Sequence, residues 1–184
     1  MNIIHDYIHE YDFPYHNYLK KYKESLVDIY LTYKNNNPLL TDLQLSNNEE
    51  IPTFLLPKIK KIIKKSYWID KPIIDYGLRI YVQNDKSNTS FYHNHMLASS
   101  LSAVFYLDPP REGGELLFLT GFTNNNNNKP KEIIIKPKKD KIYVFPYWLY
   151  HRPLPQKDKD YRICFNYLYG SPTRPVSKIT STIW

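Results

Sequence analysis

Three histidines in the second half of the chain have the type and spacing of metal ligands. His93 and His95 lie two positions apart beside an apolar strand pattern, and His151 follows the strand-like run IYVFP. Because side chains alternate between the two faces of a strand, His93 and His95 would point to the same face. A third imidazole from another strand could complete the donor set. The sequence therefore predicts a metal site formed by His93, His95 and His151.

Arg162 is the fourth residue whose chemistry stands out. It begins the run RICFNYLYG, which predicts a strand after His151. If that strand is adjacent, the guanidinium enters the same barrel interior, where an uncompensated charge costs several kcal/mol unless it meets an anion. A small dicarboxylate would be such an anion.

The elements that must position these residues change character along the chain. Apolar residues at spacings of three and four predict helices over 15–33 and 52–68, the second with a lysine-rich solvent face, whereas 1–13 is expected to be irregular. About eight short strands with close turn signals follow, which predicts an antiparallel sandwich or barrel with helices on one outer face. The clearest of these strands lie at 76–83, 90–95, 101–107, 115–119, 133–135, 141–145 and 162–169.

Composition sets the broad class. The 184 residues favour a single domain, 1–184, with a helical support region (1–72), a strand-rich core (73–170) and a C-terminal tail (171–184). The net charge of +7 favours anionic partners. Cys164 is the only cysteine, which excludes a disulfide framework and favours a reducing compartment. Neither a spanning helix nor a signal peptide is indicated, so we expect a soluble, cytoplasmic protein without a membrane partner.

Four motifs in order resemble a known family. HNH, SSLSAVFYLDPPREGGELLF, IIIKPKKDKIYVFPYWLYHRPLP and YRICFN are similar to the double-stranded β-helix (jelly-roll, cupin-like) core of iron(II)- and 2-oxoglutarate-dependent oxygenases over about residues 76–170. The similarity is greatest to a small, partly phage and bacterial group related to prolyl hydroxylases, so a viral or phage origin is compatible with it. The resemblance implies a mainly β protein with N-terminal helices that uses Fe(2+), 2-oxoglutarate and O2. It also implies a hydroxylase that converts 2-oxoglutarate to succinate.

The resemblance assigns roles to individual residues. His93 matches the first metal ligand and His151 the distal histidine, while Arg162 matches the arginine that pairs with the far carboxylate of 2-oxoglutarate. Tyr81, on the strand before the metal motif, resembles a hydrogen-bond donor to the cosubstrate. Asn166 resembles the asparagine that closes the motif of the small group, and we group it with the cosubstrate residues.

His95 departs from most of the superfamily, which has aspartate at this position. An imidazole instead of a carboxylate leaves the metal site one positive charge richer, which would still accept dianionic 2-oxoglutarate but alter the redox potential. Because His-x-His is the usual form in the small group, His95 is interpreted as a ligand. Asp85 or Glu112 is the alternative source of a carboxylate, although neither lies at ligand spacing.

Two other functional classes stay open. Three histidines on two strands are also a catalytic zinc arrangement, which would make the chain a hydrolase or hydratase but leave Arg162 unexplained. A non-catalytic cupin-like binding module is the other alternative. For an oxygenase, the resemblance favours a protein or peptide side chain as substrate over a small molecule, and the positive charge admits a nucleic acid.

Neighbouring residues are given structural roles. Gly113 and Gly114 are expected to allow a sharp entry into the next strand. Trp148 and Tyr150 are interpreted as packing residues, with a wall of the substrate site as the alternative. The three N-terminal histidines are expected at the surface: His5, His9 and His16.

Overall fold

The computed structural model describes residues 2–46, 53–67, 74–87, 91–95, 101–122, 130–158 and 160–170. The predicted tail, 171–184, lies outside these ranges, as do residues 123–129 of the asparagine-rich loop.

Ten strands in two antiparallel sheets dominate the described residues. The large sheet has the order β1-β2-β8-β5-β10-β4-β3, and the small sheet has the order β7-β6-β9. The strands are β1 (Asn2–His5), β2 (Ile8–Asp12), β3 (Asp42–Ser46), β4 (Ile74–Gln83), β5 (Leu101–Asp108), β6 (Leu116–Phe122), β7 (Pro130–Ile135), β8 (Lys141–Pro146), β9 (Tyr150–Pro153) and β10 (Arg162–Gly170). The helices are α1 (His16–Leu19), α2 (Tyr22–Asn36), a short 3-10 helix (Thr53–Leu55) and α3 (Leu56–Tyr67).

The two faces of the large sheet bury two different cores. On one face, alternate residues such as Ile80, Val82 and Phe165 join a cluster with Leu26 of α2 and Ile59 of α3. This is the predicted packing of the helices on one outer face. None of the helices described here is long and apolar enough to cross a membrane.

The second core lies between the two sheets. Val104 and Tyr106 of β5 pack with Phe118 of β6 and Phe145 of β8, and Cys164 of β10 packs against this cluster. Residues that alternate with the helix-facing ones therefore point into the space between the sheets. This mainly β architecture confirms the fold class predicted from the sequence. The site residues of β4, β5 and β10 lie on this inner face.

The N-terminal region differs from the prediction. Residues expected to be irregular form β1 and β2, and β2 pairs with β8 from His9↔Val144 to Asp12↔Lys141. His9 is consequently buried rather than at the surface. The run IHEYD is too short and too polar to reveal a strand by periodicity, and its backbone hydrogen bonds come from a partner more than 100 residues away. The first predicted helix is also divided into α1 and α2.

Gly113 and Gly114 have the role that was predicted. Their φ angles are +71° and +68°, a region that side chains with a Cβ atom rarely adopt. A Cβ atom on Gly113 would lie 2.6 Å from the backbone oxygen of Pro155, and one on Gly114 would collide with the ring of Pro110. The pair therefore permits the close approach that leads into β6.

Candidate metal and cosubstrate site

The three predicted histidine ligands converge between the sheets. His93 and His151 form an isolated antiparallel bridge, with N–H···O distances of 3.0 Å from His93 to His151 and 2.9 Å in the other direction. The N–H of His95 donates to the carbonyl of Tyr147 at 2.9 Å, which holds this segment alongside the turn that precedes β9. One nitrogen atom of each ring lies within 4.8 Å of the others. Three backbone bonds thus hold together a group of histidines that could bind one metal ion.

Hydrogen bonds orient two of the rings. Nδ1 of His151 donates to the carbonyl of Leu149 at 2.9 Å, which leaves Nε2 of His151 as the ligand atom. Nδ1 of His95 lies 2.6 Å from Oγ of Ser102, a residue of β5 that is fully buried. Such contacts from the second nitrogen are how metal-binding histidines are normally held in place. Ser102 is a site residue that the sequence analysis did not identify.

Burial keeps the imidazoles in the form that binds metal. Desolvation, followed by the charges of His151, His93 and Arg79, lowers the pKa of His95 to about 2. Desolvation and the charge of His93 lower the pKa of His151 to about 3. The pKa of His93, whose side chain is more exposed, is also lowered by desolvation. All three are neutral near pH 7, so metal need not displace protons from them.

Arg162 is buried on the same inner face. Its side chain is 1% exposed, and Nε donates to Oε1 of Gln83 at 2.8 Å while Nη1 donates to the carbonyl of Leu154 at 2.9 Å. Both acceptors are neutral, and among the described side chains no carboxylate forms an ion pair with Arg162. A guanidinium buried in this way is suited to an anionic ligand.

Arg162 also lines a pocket that does not include the histidines. Its walls include Lys23, Asp108 and Asp158, but none of the three histidines. Lys23 is already paired with Asp108 there. This pocket is therefore separate from the histidine cluster.

The predicted cosubstrate residues Tyr81 and Asn166 also occupy the inner face. Tyr81 pairs in register with Cys164, and Asn166 follows Cys164 by two positions. Desolvation raises the pKa of the Tyr81 hydroxyl, against an opposing effect of Arg79, so this group remains a hydrogen-bond donor at neutral pH. The fold thus brings both residues to the predicted side of the sheet, while their contacts with a cosubstrate stay a prediction.

Arg79 is a second residue that the sequence analysis missed. It lies two positions before Tyr81 on β4, donates a hydrogen bond to the Tyr81 hydroxyl and acts electrostatically on His95. The alternation of LRIYVQ, with Ile80 and Val82 facing the helices, was the signal that could have placed it on the inner face.

Other candidates lie elsewhere. Asp85 is exposed, and Glu112 is exposed and paired with Lys157 at 3.0 Å, so neither joins the histidine cluster. The packing interpretation of Trp148 and Tyr150 was wrong, because their side chains are 40% and 47% exposed.

Comparison with known proteins places this geometry in a family context. A family model described as Putative 2OG-Fe(II) oxygenase matches residues 80–167, which include all three histidines and Arg162. No curated protein matches the sequence.

Solved structures share the fold at low identity. AviO1 from Streptomyces viridochromogenes Tue57 aligns with a TM-score of 0.69 and 10% identity, covering 92% of each chain. A Trichoplax adhaerens prolyl hydroxylase, solved with a peptide of hypoxia inducible factor, aligns with a TM-score of 0.63 and 12% identity. The alignment covers 89% of this chain and 83% of the hydroxylase. The epimerase SnoN, solved with Fe3+, alpha ketoglutarate and nogalamycin RO, aligns with a TM-score of 0.57 and 14% identity. The alignment covers 81% of this chain and 77% of SnoN. At these identities the likeness establishes the fold alone.

The family match and the donor set agree about the ligands of the site. Three neutral imidazoles within reach of one ion suit a divalent transition metal, and the buried Arg162 suits a carboxylate. The site and the family match thus support Fe(2+) and 2-oxoglutarate as its metal and cosubstrate. The match over residues 80–167 and the shared double-stranded β-helix fold support membership of the chain in the 2OG-Fe(II) oxygenase superfamily, as the sequence motifs predicted.

Proposed function

We propose that the chain is an Fe(II)- and 2-oxoglutarate-dependent dioxygenase that hydroxylates a protein side chain or a small molecule. In the balanced reaction, a C–H bond of the substrate, O2 and 2-oxoglutarate give the hydroxylated substrate, succinate and CO2. The observation that carries the proposal is the presence of three convergent imidazoles and a buried arginine with neutral partners on one inner face.

The residues of this chain would divide the work of binding. His93, His95 and His151 hold the metal, and Arg162 pairs with the far carboxylate of 2-oxoglutarate, assisted by a hydrogen bond from Tyr81. When bound, iron and 2-oxoglutarate supply the oxidising chemistry, and the protein supplies position and a dry wall. Tyr106 is buried and Cys164 half-buried beside Tyr81 in the sheet, and both would help to exclude water from the cosubstrate.

His95 determines the charge of the site. A neutral imidazole replaces the carboxylate of most superfamily members, so the metal keeps one more positive charge. That charge favours a dianionic cosubstrate, and the hydrogen bond to Ser102 fixes the ring that replaces the carboxylate.

The similar structures support two substrate classes. One prolyl hydroxylase was solved with a peptide, whereas SnoN was solved with nogalamycin RO. We favour a protein or peptide side chain because of the motif similarity to prolyl hydroxylases.

Succinate formation tests the proposal. The protein would be reconstituted anaerobically with iron(II) and then given 2-oxoglutarate, O2 and ascorbate as reductant. We expect metal-dependent succinate release that is abolished by Arg162→Ala and retained by Arg111→Ala, which removes an exposed arginine nearby. Metal binding that is indifferent to 2-oxoglutarate would contradict the proposal and favour the zinc hydrolase. Binding of 2-oxoglutarate without succinate would favour the non-catalytic module.

A further inference from the structure

Arg79 places a positive charge beside the histidine cluster. Ile80 and Val82 of β4 are buried against the helices, so Arg79 and Tyr81 lie on the opposite, inner face. Arg79 is partly buried, donates a hydrogen bond to Tyr81 and acts electrostatically on His95. Its place in the sheet is four residues from Gln83, the partner of Arg162. The two arginines are therefore four positions apart in the β4–β10 ladder. Arg79 is the one nearer the metal ligands, because its partner Asn166 pairs with Val104, two positions from the Ser102 that contacts His95.

Asn166 lies directly opposite Arg79. The two residues are cross-strand partners in the β4–β10 ladder, so their side chains are neighbours. Asn166 is only 6% exposed, and its Oδ1 atom has no hydrogen-bond partner. A buried acceptor left unpaired is destabilising, so an external donor would be favourable at this point.

The charge of Arg79 is not neutralised by the described part of the chain. Among the described side chains, no carboxylate forms an ion pair with Arg79, and its hydrogen-bond partner Tyr81 is neutral. The metal would also be held by three uncharged imidazoles. With metal bound, this part of the inner face would combine positive charge from Arg79 and from the metal with an unused acceptor on Asn166.

We infer that Arg79 and Asn166 form a subsite for the substrate, in which Arg79 binds a carboxylate of the substrate and Asn166 accepts a hydrogen bond from an adjacent N–H group. The inference rests on the proposed function and specifies its substrate class: a carboxylate with a neighbouring amide or amine, as in a free amino acid or at the C-terminus of a peptide. One arginine with a neutral amide suits a monoanionic, planar carboxylate, which matches the guanidinium in two parallel hydrogen bonds. A phosphate dianion would leave charge unmatched.

The same arrangement argues against a role for Arg79 in binding 2-oxoglutarate. Arg162, four residues before Asn166 on β10, is the buried guanidinium that the proposed function assigns to the cosubstrate. If Arg79 instead bound 2-oxoglutarate, its replacement would weaken cosubstrate binding as replacement of Arg162 does. The two roles are therefore separable by binding measurements alone.

The test measures binding by calorimetry on the anaerobic, iron(II)-loaded protein. 2-Oxoglutarate is titrated first, and the complex is then titrated with N-acetyl-L-alanine or its neutral analogue N-acetyl-L-alaninamide. Wild type should bind the acid about ten- to a hundredfold more tightly than the amide, the size of one charge-assisted contact. In Arg79→Gln this preference should disappear, while the affinity for 2-oxoglutarate should fall by no more than the loss of the Tyr81 hydrogen bond would cause, about three- to tenfold, and by much less than in Arg162→Gln. Asn166→Asp, which places a carboxylate opposite Arg79, should also abolish the preference for the acid.

Further measurements distinguish a free amino acid from a peptide terminus, and a failure of the subsite inference from a failure of the proposed function. Arg79→Lys keeps the charge and should retain part of the preference, and L-alanine compared with L-alanyl-L-alanine shows whether a free amino acid or a peptide terminus fits better. Equal binding of acid and amide by wild type overturns the inference, as does a loss of 2-oxoglutarate affinity in Arg79→Gln that matches the loss in Arg162→Gln. If 2-oxoglutarate does not bind the iron-loaded wild type at all, the proposed function itself is refuted, and the subsite inference with it.

Discussion

Replacement of Ser102 by alanine should weaken metal binding without unfolding the protein. Ser102 is fully buried, and its Oγ atom lies 2.6 Å from Nδ1 of His95. The alanine variant leaves that nitrogen without its partner and lets the ring rotate away from the metal. Loss of such an outer contact typically costs ten- to a hundredfold in metal affinity, or about 1.4–2.7 kcal/mol. The metal-free protein should lose about 1–3 kcal/mol of unfolding free energy for the unsatisfied buried nitrogen.

The measurement is competition of iron(II) or cobalt(II) with a chromophoric chelator under anaerobic conditions, alongside urea unfolding of the metal-free protein. Ser66→Ala is the matched control, because Ser66 is also buried but its Oγ donates to the carbonyl of Ile62 within α3. That control should lose stability without losing metal affinity. If Ser102→Ala binds metal as tightly as Ser66→Ala, then His95 is not a ligand and the interpretation of the His-x-His pair is wrong.

Three further predictions concern stability and the cosubstrate. Acid should destabilise the metal-free protein. His95 and His151 have pKa values of about 2 and 3 in the folded state, against 6.5 in the unfolded state. Below pH 6.5 the unfolded state therefore binds more protons, and each histidine lowers the free energy of unfolding by up to about 1.4 kcal/mol per pH unit. Urea unfolding at pH 7 and pH 5 checks this, and the double variant His95→Gln/His151→Gln should lose most of the acid sensitivity; an unchanged dependence would contradict the burial argument. Gly114→Ala should lower the free energy of unfolding by about 2 kcal/mol or more, because the φ of Gly114 is +68° and the new Cβ would collide with Pro110 and lie 3.4 Å from Nη1 of Arg162. Thermal unfolding measures this loss. A loss smaller than that caused by an exposed substitution such as Lys139→Ala would refute the prediction. Tyr81→Phe should weaken 2-oxoglutarate binding about three- to tenfold through loss of one hydrogen bond, measured by calorimetry on the iron-loaded protein; an unchanged affinity would remove Tyr81 from the cosubstrate site.

The chemistry of the site could be predicted because it depends on residue types that can be read directly from the sequence. His93, His95, His151 and Arg162 are polar residues beside buried strand patterns, and each is costly there without a ligand or partner. Their order along the chain then predicted the superfamily. The long strands β4, β5 and β10 were also predictable, since their apolar runs are continuous or regularly alternating.

The parts that were missed depend on partners distant in sequence. β2 is a strand because it pairs with β8, and the short strand β9 is held by pairing with β6. Ser102 resembles any small residue of a buried strand until the fold brings His95 to it. Arg79 was concealed by a different effect, because an arginine in a half-buried strand is ordinarily read as a solvent-facing residue. Trp148 was assigned to packing because large aromatic side chains are usually buried, yet it lies exposed in the turn before β9.

The most direct test of the account is the dependence of 2-oxoglutarate binding on both the metal and Arg162. Calorimetric titration of 2-oxoglutarate into the anaerobic protein should show tight binding with iron(II) and much weaker binding without it. Arg162→Gln should reduce the affinity of the iron-loaded protein about thirtyfold or more, because a buried charge-assisted pair is worth roughly 2 kcal/mol or more. Equal affinity with and without iron(II), or an Arg162→Gln variant that binds as wild type does, would contradict the claim that the histidines and Arg162 form one cosubstrate site.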